Sequence, residues 1–570
     1  MGDTINWGIF KRRFWGELLR HQQKVMDHIV SAILGSANRY RALWSLFAIL
    51  VTLCALLRKF SNWPNVWDIT LWDETMYLGV GLTNLSDLTH GLQHYQESPL
   101  YSKSYDLIAS LTGAEAPSVF MLGGLSAVLL ALFGVAIGVF AGSGSLSLSI
   151  VSIFVLYRTL HIPSRASFFC IFILGAGFSL CTLCPERFAK AAILALTCFL
   201  ATFVRPEYVL GFYLSIAIVL ATFIELNLRE LPQRNANLVI GFAALATITI
   251  LAMLWCFPIL EGGGRAFEAF GQGYSSRAVM DRGLSLDPYL NWKQIVDADF
   301  PGAKSLGDAL SVRPGRVIVF MLKNVFGIMP WGYSLLNGAF CIGTILVAAW
   351  LCRPWAKFVK PSDRSRADNV LCATVLLVPP TISISMTVPR SWYVLLALAA
   401  LLILFASATR TPFARVIGRR LIPTHMLVSK VNDNLVAAGL AVLMLIVTRP
   451  LPIVPQPTLA TATSMSSIGK VSTMLEASGG LCFYAKPICK FPFSPSNVPD
   501  GVDIRTFLDQ EGVDAVAVSP SLLIVPPLAN NPTFRKFLET ATKNGWIRRD
   551  LPAPQGQSYL YVLVRASPQS

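Results

Sequence analysis

A chain of 570 residues that is 54% apolar and 14% charged, with mean hydropathy +0.56, falls outside the ordinary soluble class, in which about a quarter of residues are charged. The net charge of +15 does not mark a nucleic-acid partner, because the bases stand in short segments between apolar runs, as the positive-inside rule requires of a polytopic membrane protein. No zinc-ligand spacing and no Gly-Lys-Ser/Thr phosphate loop occurs, which leaves metal fingers and nucleotide hydrolysis without support.

Residues 1–41 carry Lys11, Arg12, Arg13, Arg20, Lys24, Arg39 and Arg41, with Phe14, Leu18, Leu19, Val25, Ile29 and Ile33 at roughly helical spacing. This predicts a basic amphipathic segment on the cytoplasmic face, with a disordered basic tail as the alternative. No short apolar core followed by a small-residue cleavage site is present, so a removable signal peptide is not expected. The first membrane helix is expected at 42–57, opening a transmembrane region over 42–448.

The following outer loop, 59–117, holds Asp68, Asp73, Glu74, Asp87, Glu97, Asp106 and Glu115 but only Lys59 and Lys103 as bases. Its sign opposes that of the N-terminus and sets the orientation. Asp68, Asp73 and Glu74 stand among Trp67, Trp72 and Tyr77, where apolar surroundings disfavour the charged form. Asp73 and Tyr77 are four apart and share a face if a helix begins here. An interfacial aromatic belt with solvated acids is the competing reading. Leu78, Leu82, Leu85 and Leu88 predict short helices along the outer surface.

Further spans are expected at about 118–141, 144–158, 166–184, 190–204, 207–226, 238–258, 331–351, 370–388, 391–409 and 431–448, with 118–158 open to one broken helix or two short ones. That gives about 11 helices, with the N-terminus in and the C-terminus out. The alternation puts Arg229, Arg234 and the clusters at 353–366 and 410–430 inside, but Arg158, Arg165 and Arg205 outside. A cation kept against the charge rule usually has a partner. A second outer loop, 259–315, contains Tyr274, Arg277, Asp281 and Asp297-Ala-Asp299, and is too long for a simple connection. Residues 449–570 begin with Pro450, Pro452, Pro455 and Pro457, then pattern as strands at 481–484, 515–518 and 559–564 and helices at 501–510 and 533–543. A small extracytoplasmic α/β domain with a three- or four-stranded sheet is expected. Nine of the eleven cysteines lie in or beside apolar runs. Cys482 and Cys489 lie on the oxidising side, either paired or as two thiols.

Several short motifs resemble the GT-C class of membrane glycosyltransferases, which includes protein O-mannosyltransferases and lipid A aminoarabinose transferases. Asp73-Glu74-Thr-Met-Tyr77 resembles the first-loop acidic motif, and Leu156-Tyr157-Arg158 the Tyr-x-Arg at the end of the third helix. Phe203-Val-Arg205-Pro206-Glu207 is similar to the class's Thr-Arg-Pro-Glu, and Val388-Pro389-Arg390-Ser-Trp-Tyr393 to the Pro-Arg-Tyr that opens a late helix. The class often carries an acid a few residues after Tyr-x-Arg, whereas here Ser164 and Arg165 occupy that region.

The resemblance implies sugar transfer, with inversion, from a polyprenyl-phosphate-sugar donor to a glycan, lipid or protein acceptor at the outer face of a bacterial inner membrane. Membrane lipid is the other partner, and no nucleic acid is expected. Asp73 and Glu74 are then the catalytic acids. Arg390, Arg205 and Arg158 would receive the donor phosphate, and Asp68, Tyr77 and Arg277 would touch substrate. Glu207 is the evident structural partner of Arg205. No cofactor is expected. Asp297-Ala-Asp299 is a weak signal for a divalent metal, and His90 and His94, one turn apart, a weak one for substrate contact. A secondary transporter or flippase of a lipid-linked or anionic substrate is the alternative, but half-to-half similarity is lacking and charges gather at helix ends. A scaffold working through 449–570 would leave the acidic first loop without a task.

Overall fold

The computed structural model describes residues 41–63, 69, 72–83, 98–143, 165–230, 265–284, 286–288, 291–326, 361–386, 391–409, 433–451, 453, 456–465, 471–477, 480–484, 489–493, 495, 498, 499, 501–550 and 560–566. The N-terminal basic segment, the expected spans at 144–158, 238–258 and 331–351, and His90 and His94 lie outside the described residues.

Long, continuous apolar runs cross lipid as helices, because a helix meets every backbone donor within its own segment. Its helices are α1 Arg41–Lys59, α2 Trp72–Thr83, α3 Pro99–Thr112, α4 Ala116–Ser143, α5 Arg165–Leu183, α6 Arg187–Thr202 and α7 Tyr208–Glu230. After them come α8 Arg265–Arg282, α9 Trp292–Asp299, α10 Leu306–Val312, α11 Pro314–Phe326, α12 Pro361–Met386, α13 Ser391–Thr409, α14 Asp433–Val447 and α15 Pro457–Ser464. Among the described residues, three stretches are long and apolar enough to cross a bilayer: Ala116–Ala141, Arg165–Leu183 and Ala367–Met386, with mean hydropathies of 2.4, 2.1 and 1.6. The chain is a polytopic membrane protein. Helices α4, α5, α6, α12 and α13 supply most of one apolar core, including Val128, Val135, Phe168, Phe178, Leu376 and Leu396.

Polar contacts sort the helix ends into two sets. At one end Ser98 Oγ donates to Val204 O at 2.7 Å, the Leu100 amide to Phe203 O at 3.2 Å, and Trp63 Nε1 to Met121 O at 3.2 Å. The Leu451 amide donates to Lys59 O at 2.9 Å, closing the end of α14 on that of α1. At the opposite end, Arg187 pairs with Asp368 at 3.1 Å and the buried Lys190 donates to Asn369 Oδ1 at 2.6 Å. The first set gathers the ends that the charge pattern assigns to the outer face, and the second those it assigns to the inner face.

The segment expected as a second outer loop is folded over its described residues. Its helices α8 to α11 enclose Phe270, Tyr274, Phe300 and Phe320, with Tyr274 and Phe300 in edge contact at 4.9 Å between centroids. Ser305 caps α10 by accepting the Asp308 amide at 3.0 Å.

Beyond α15 the elements are β1 Val471–Leu475, α16 Gly480–Tyr484, β2 Cys489–Phe493, α17 Ile504–Gln510, β3 Ala515–Val518, α18 Pro520–Ile524, α19 Pro526–Ala529, α20 Pro532–Thr540, a 3-10 turn Ala541–Asn544, β4 Trp546–Asp550 and β5 Tyr561–Arg565. The sheet has five strands in the order β2-β1-β3-β5-β4, not three or four. β2, β1 and β3 are parallel, while β3–β5 and β5–β4 are antiparallel. β3 is buried on both faces: Val516 and Val518 meet Phe507, Leu508 and Phe534, while Ala515 and Ala517 face Leu481, Cys482 and Met465. The expected strands at 515–518 and 559–564 correspond to β3 and β5. The expected strand at 481–484 is instead the helix α16. Its four-residue apolar run carries no period of its own, and tertiary contacts decide it. β2, with Pro492 inside it, and the charged β4 occupy the two edges, where proline and charge are tolerated and the apolar signal is weakest.

The two sets of ends predict a labelling pattern. In a chain with the exposed Cys54 and the half-buried Cys184 replaced, the exposed positions Thr112→Cys and Ser311→Cys should react with a membrane-impermeant maleimide in intact cells, and Glu186→Cys only after lysis. Labelling of Glu186→Cys from outside would reverse the orientation.

Candidate functional site

The first-loop motif is helical: α2 starts at Trp72 and carries Asp73, Glu74 and Tyr77. Glu74 points into the protein and is 3% exposed. A carboxylate this deep is costly unless its lone pairs are met, and three donors among the described residues meet them. Tyr101 Oη donates to Glu74 Oε2 at 3.1 Å, Tyr105 Oη to the same oxygen at 3.3 Å, and the Arg165 amide to Oε1 at 2.9 Å. Tyr101 and Tyr105 are one turn apart on α3, so both reach the same partner, and their hydroxyls lie 2.9 Å from each other.

Arg165 opens α5 and is fully buried. Its Nη1 donates to Tyr105 Oη at 3.4 Å and to the Phe120 carbonyl, and the guanidinium lies 3.7 Å from the centre of the Phe120 ring. A buried cation persists where a carboxylate, a carbonyl and an aromatic face compensate it. Gly123 and Gly124 of α4 provide the room: a Cβ on Gly123 would come within 2.4 Å of the Tyr105 ring, and one on Gly124 within 2.6 Å of the Arg165 guanidinium carbon. Burial, then the charge of Glu74, pushes the Tyr101 hydroxyl well above its ordinary range. Burial also raises Tyr105, against the opposing pull of Arg165. Both phenols therefore remain protonated donors at any ordinary pH.

Tyr77 is buried and meets Tyr101 edge-on at 5.6 Å, which places it in the same cluster. Arg205 lies in the turn between α6 and α7, 9% exposed, with Nε donating to Glu207 Oε1 at 2.9 Å as its expected partner. That turn is tied to the first loop by Ser98, whose left-handed backbone (φ 53°) is offset by its bond to Val204 O. The structure therefore brings together Glu74, Tyr77 and, one connection away, the turn bearing Arg205.

Arg277 sits elsewhere, in the second loop. Its Nε pairs with Asp281 at 3.1 Å, and Asp281 also accepts from Lys323 at 2.6 Å. The Asp297-Ala-Asp299 pair is split. Asp297 is exposed, while Asp299 is buried and bonded by Tyr274 Oη at 2.8 Å and by Arg282 and Arg316. Burial pushes Asp299 upward, but the bonds from Tyr274 and Arg282 and the charges of Arg282 and Arg316 outweigh it and hold it below its usual value. Among the described residues no three metal-ligating side chains stand together. Asp68, Arg158 and Arg390 lie outside the described residues, as does the side chain of Asp73.

Sequence reasoning missed Tyr101, Tyr105 and Arg165 as members of this cluster. The signals were two tyrosines four apart in a polar loop, a glycine pair at the head of an apolar run, and an arginine on the disfavoured side of the membrane.

Glu74→Gln keeps the volume but places an amide donor among donors. It should lower stability by about 2–4 kcal/mol, the range for disrupting a buried charged network. Tyr105→Phe, which removes the bonds to Glu74 and from Arg165 Nη1 but leaves Tyr101 and the Arg165 amide in place, should cost less, about 1.5 kcal/mol. Thermal unfolding in detergent reads both, and equal effects would contradict the central place of Glu74.

No family model matches this chain, and no curated protein does. Among solved structures, the chain is similar to ArnT from Cupriavidus metallidurans in the apo state, at 12% identity over 94% of this chain and 100% of that one, with a TM-score of 0.32. The structure of the same protein bound to undecaprenyl phosphate gives the same 12% identity, coverage of 94% and 100%, and TM-score of 0.32. A superposition that loose carries no argument, and the functional reading rests on the residues.

Proposed function

We propose that this chain is a membrane glycosyltransferase of the GT-C type, moving a sugar from a polyprenyl-phosphate donor to an acceptor hydroxyl at the outer face, with inversion. The observation that carries the reading is the junction of two motifs distant in sequence. The Asp73-Glu74 helix and the Arg205-Pro-Glu207 turn meet at one end of the helical core through α3, by Tyr101 and Tyr105 on one side and Ser98 and Leu100 on the other. Transfer from a phosphate donor requires a carboxylate and a held guanidinium at one site, a place for the acceptor proton and a counter-charge for the leaving group, and both motifs stand at this end of the core.

The two acids divide the work. Glu74, with its oxygens engaged by Tyr101, Tyr105 and the Arg165 amide, anchors α2. Asp73, one residue earlier and about 100° round the helix, is the general base. As the acceptor oxygen bonds to the anomeric carbon, its proton passes to Asp73 and the carbon–oxygen bond to phosphate breaks from the opposite face. The polyprenyl phosphate leaves with the bonding electron pair. Arg205, held by Glu207, meets the charge that grows on that oxygen, with Arg390 and Arg158 as further donors. Tyr77 and Asp68 would contact the acceptor, and Arg277 would reach substrate from the second loop.

The test is transfer of labelled sugar from a polyprenyl-phosphate-sugar by the purified protein. Asp73→Asn should fold, keep its donor affinity and lose about 10²- to 10⁴-fold in turnover. Arg205→Ala should lose about 10²-fold, and Arg205→Lys should recover part of it, because the planar fork is gone. Near-normal turnover by Asp73→Asn at saturating donor and acceptor would remove Asp73 from the mechanism.

A further inference from the structure

The short helix α16 belongs by sequence to the C-terminal sheet, yet its side chains reach the first-loop motif. Glu476, fully buried at the end of β1, accepts the amides of Leu481 at 3.0 Å and Cys482 at 2.8 Å, one on each oxygen. Those bonds fix the start of α16 against the sheet, and Cys482 is also disulfide-bonded. From this base the helix touches the motif on both of its flanks. On the near side, the Ile69 amide donates to Tyr484 Oη at 3.2 Å, and a Cβ on Gly480 would fall 1.4 Å from the Ile69 carbonyl oxygen. On the far side, the Phe483 ring would lie 3.3 Å from a Cβ on Gly79. Phe483 and Ile69 are both buried, and both join the membrane core rather than the core of the sheet.

We propose that the C-terminal α/β unit positions the first-loop motif, with α16 as a clamp that fixes where α2 begins and how far it is rotated. Glu476, Gly480, Phe483 and Tyr484 are its positioning residues. None of them is placed at the reacting atoms. Ile69 and Gly79 bracket Asp73, Glu74 and Tyr77, so a helix held at both points has no freedom to roll. A roll of one residue would exchange Asp73 with Glu74 relative to substrate, about 100° apart. The buried Glu74 network holds one face of α2 to α3 and α5, and α16 holds Ile69 ahead of the helix and Gly79 within it. The proposed consequence for turnover rests on the reading of Asp73 as the base, but the clamp itself does not.

Hydrogen exchange of the full-length protein in detergent tests the clamp without reference to catalysis. Tyr484→Phe removes one hydrogen bond and leaves the ring, so exchange across 69–83 should rise about fivefold while exchange in β3 stays as in the parent. Gly480→Ala, which must displace the Ile69 carbonyl, should raise it further. In the transfer assay Tyr484→Phe should lower kcat about three- to tenfold with the donor KM unchanged, since the base is misplaced and the donor contacts are not. Unchanged exchange across 69–83 in both variants would overturn the clamp. Raised exchange with parental kcat would overturn its positioning role. Raised exchange in a protein whose parent transfers no sugar would support the clamp and overturn the glycosyltransferase reading.

Discussion

A buried carboxylate cannot stay in a membrane protein without donors around it, and the demand of Glu74 for three of them organises one end of this molecule. Tyr101 and Tyr105 come from α3 and the third donor is the first amide of α5. Meeting that demand fixes α2, α3 and α5 against one another, and it requires the two adjacent glycines of α4 that leave space for the Tyr105 ring and the Arg165 guanidinium. Such a network costs more when partly broken than it contributes when whole. It therefore specifies one arrangement of this end of the helical core rather than merely adding stability.

From that node the constraints run outward in two directions. Through Ser98 and Leu100 they reach the Phe203–Val204 turn and the Arg205–Glu207 pair. Through Ile69 and Gly79 they reach α16 and the sheet. The second outer loop is built on the same logic with a different acid. Asp299 draws Tyr274, Arg282 and Arg316 together over an aromatic core, which gives this segment a fold of its own.

How much of this was legible follows from the physics of each signal. Apolar runs at 118–141, 166–184 and 370–388 announce themselves, because a bilayer demands length and composition, and α4, α5 and α12 answer them. Arg165 was visible as a cation on the wrong side of the charge pattern, and the structure gives it partners. Its tie to Glu74 was not visible, since nothing local in the sequence says that a glutamate in the first loop meets the backbone of an arginine beyond the third expected span. The same limit explains 481–484: four apolar residues read as a strand, and only Glu476 and Ile69, neither of them inside the segment, make it a helix. Strands β1, β2 and β4 were missed: β2 and β4 are edges, where proline and charge are tolerated, and β1, Val471-Ser-Thr-Met-Leu475, is an interior strand whose apolar run is broken by Ser472 and Thr473. Of the residues expected at the site, Glu74, Tyr77 and Arg205 stand at one end of the core and Arg277 stands in the second loop.

In the proposed reaction a general base on α2 works with an arginine that meets a lipid-borne phosphate, so the protein must hold that lipid in preference to others. Native mass spectrometry of the protein purified in mild detergent, after incubation with a polyprenyl phosphate among bulk phospholipids, measures that directly. The account predicts one retained polyprenyl phosphate per chain, held in preference to the bulk lipids and lost in Arg205→Ala. Retention of bulk phospholipids alone, with no polyprenyl phosphate kept even when it is supplied, would contradict it.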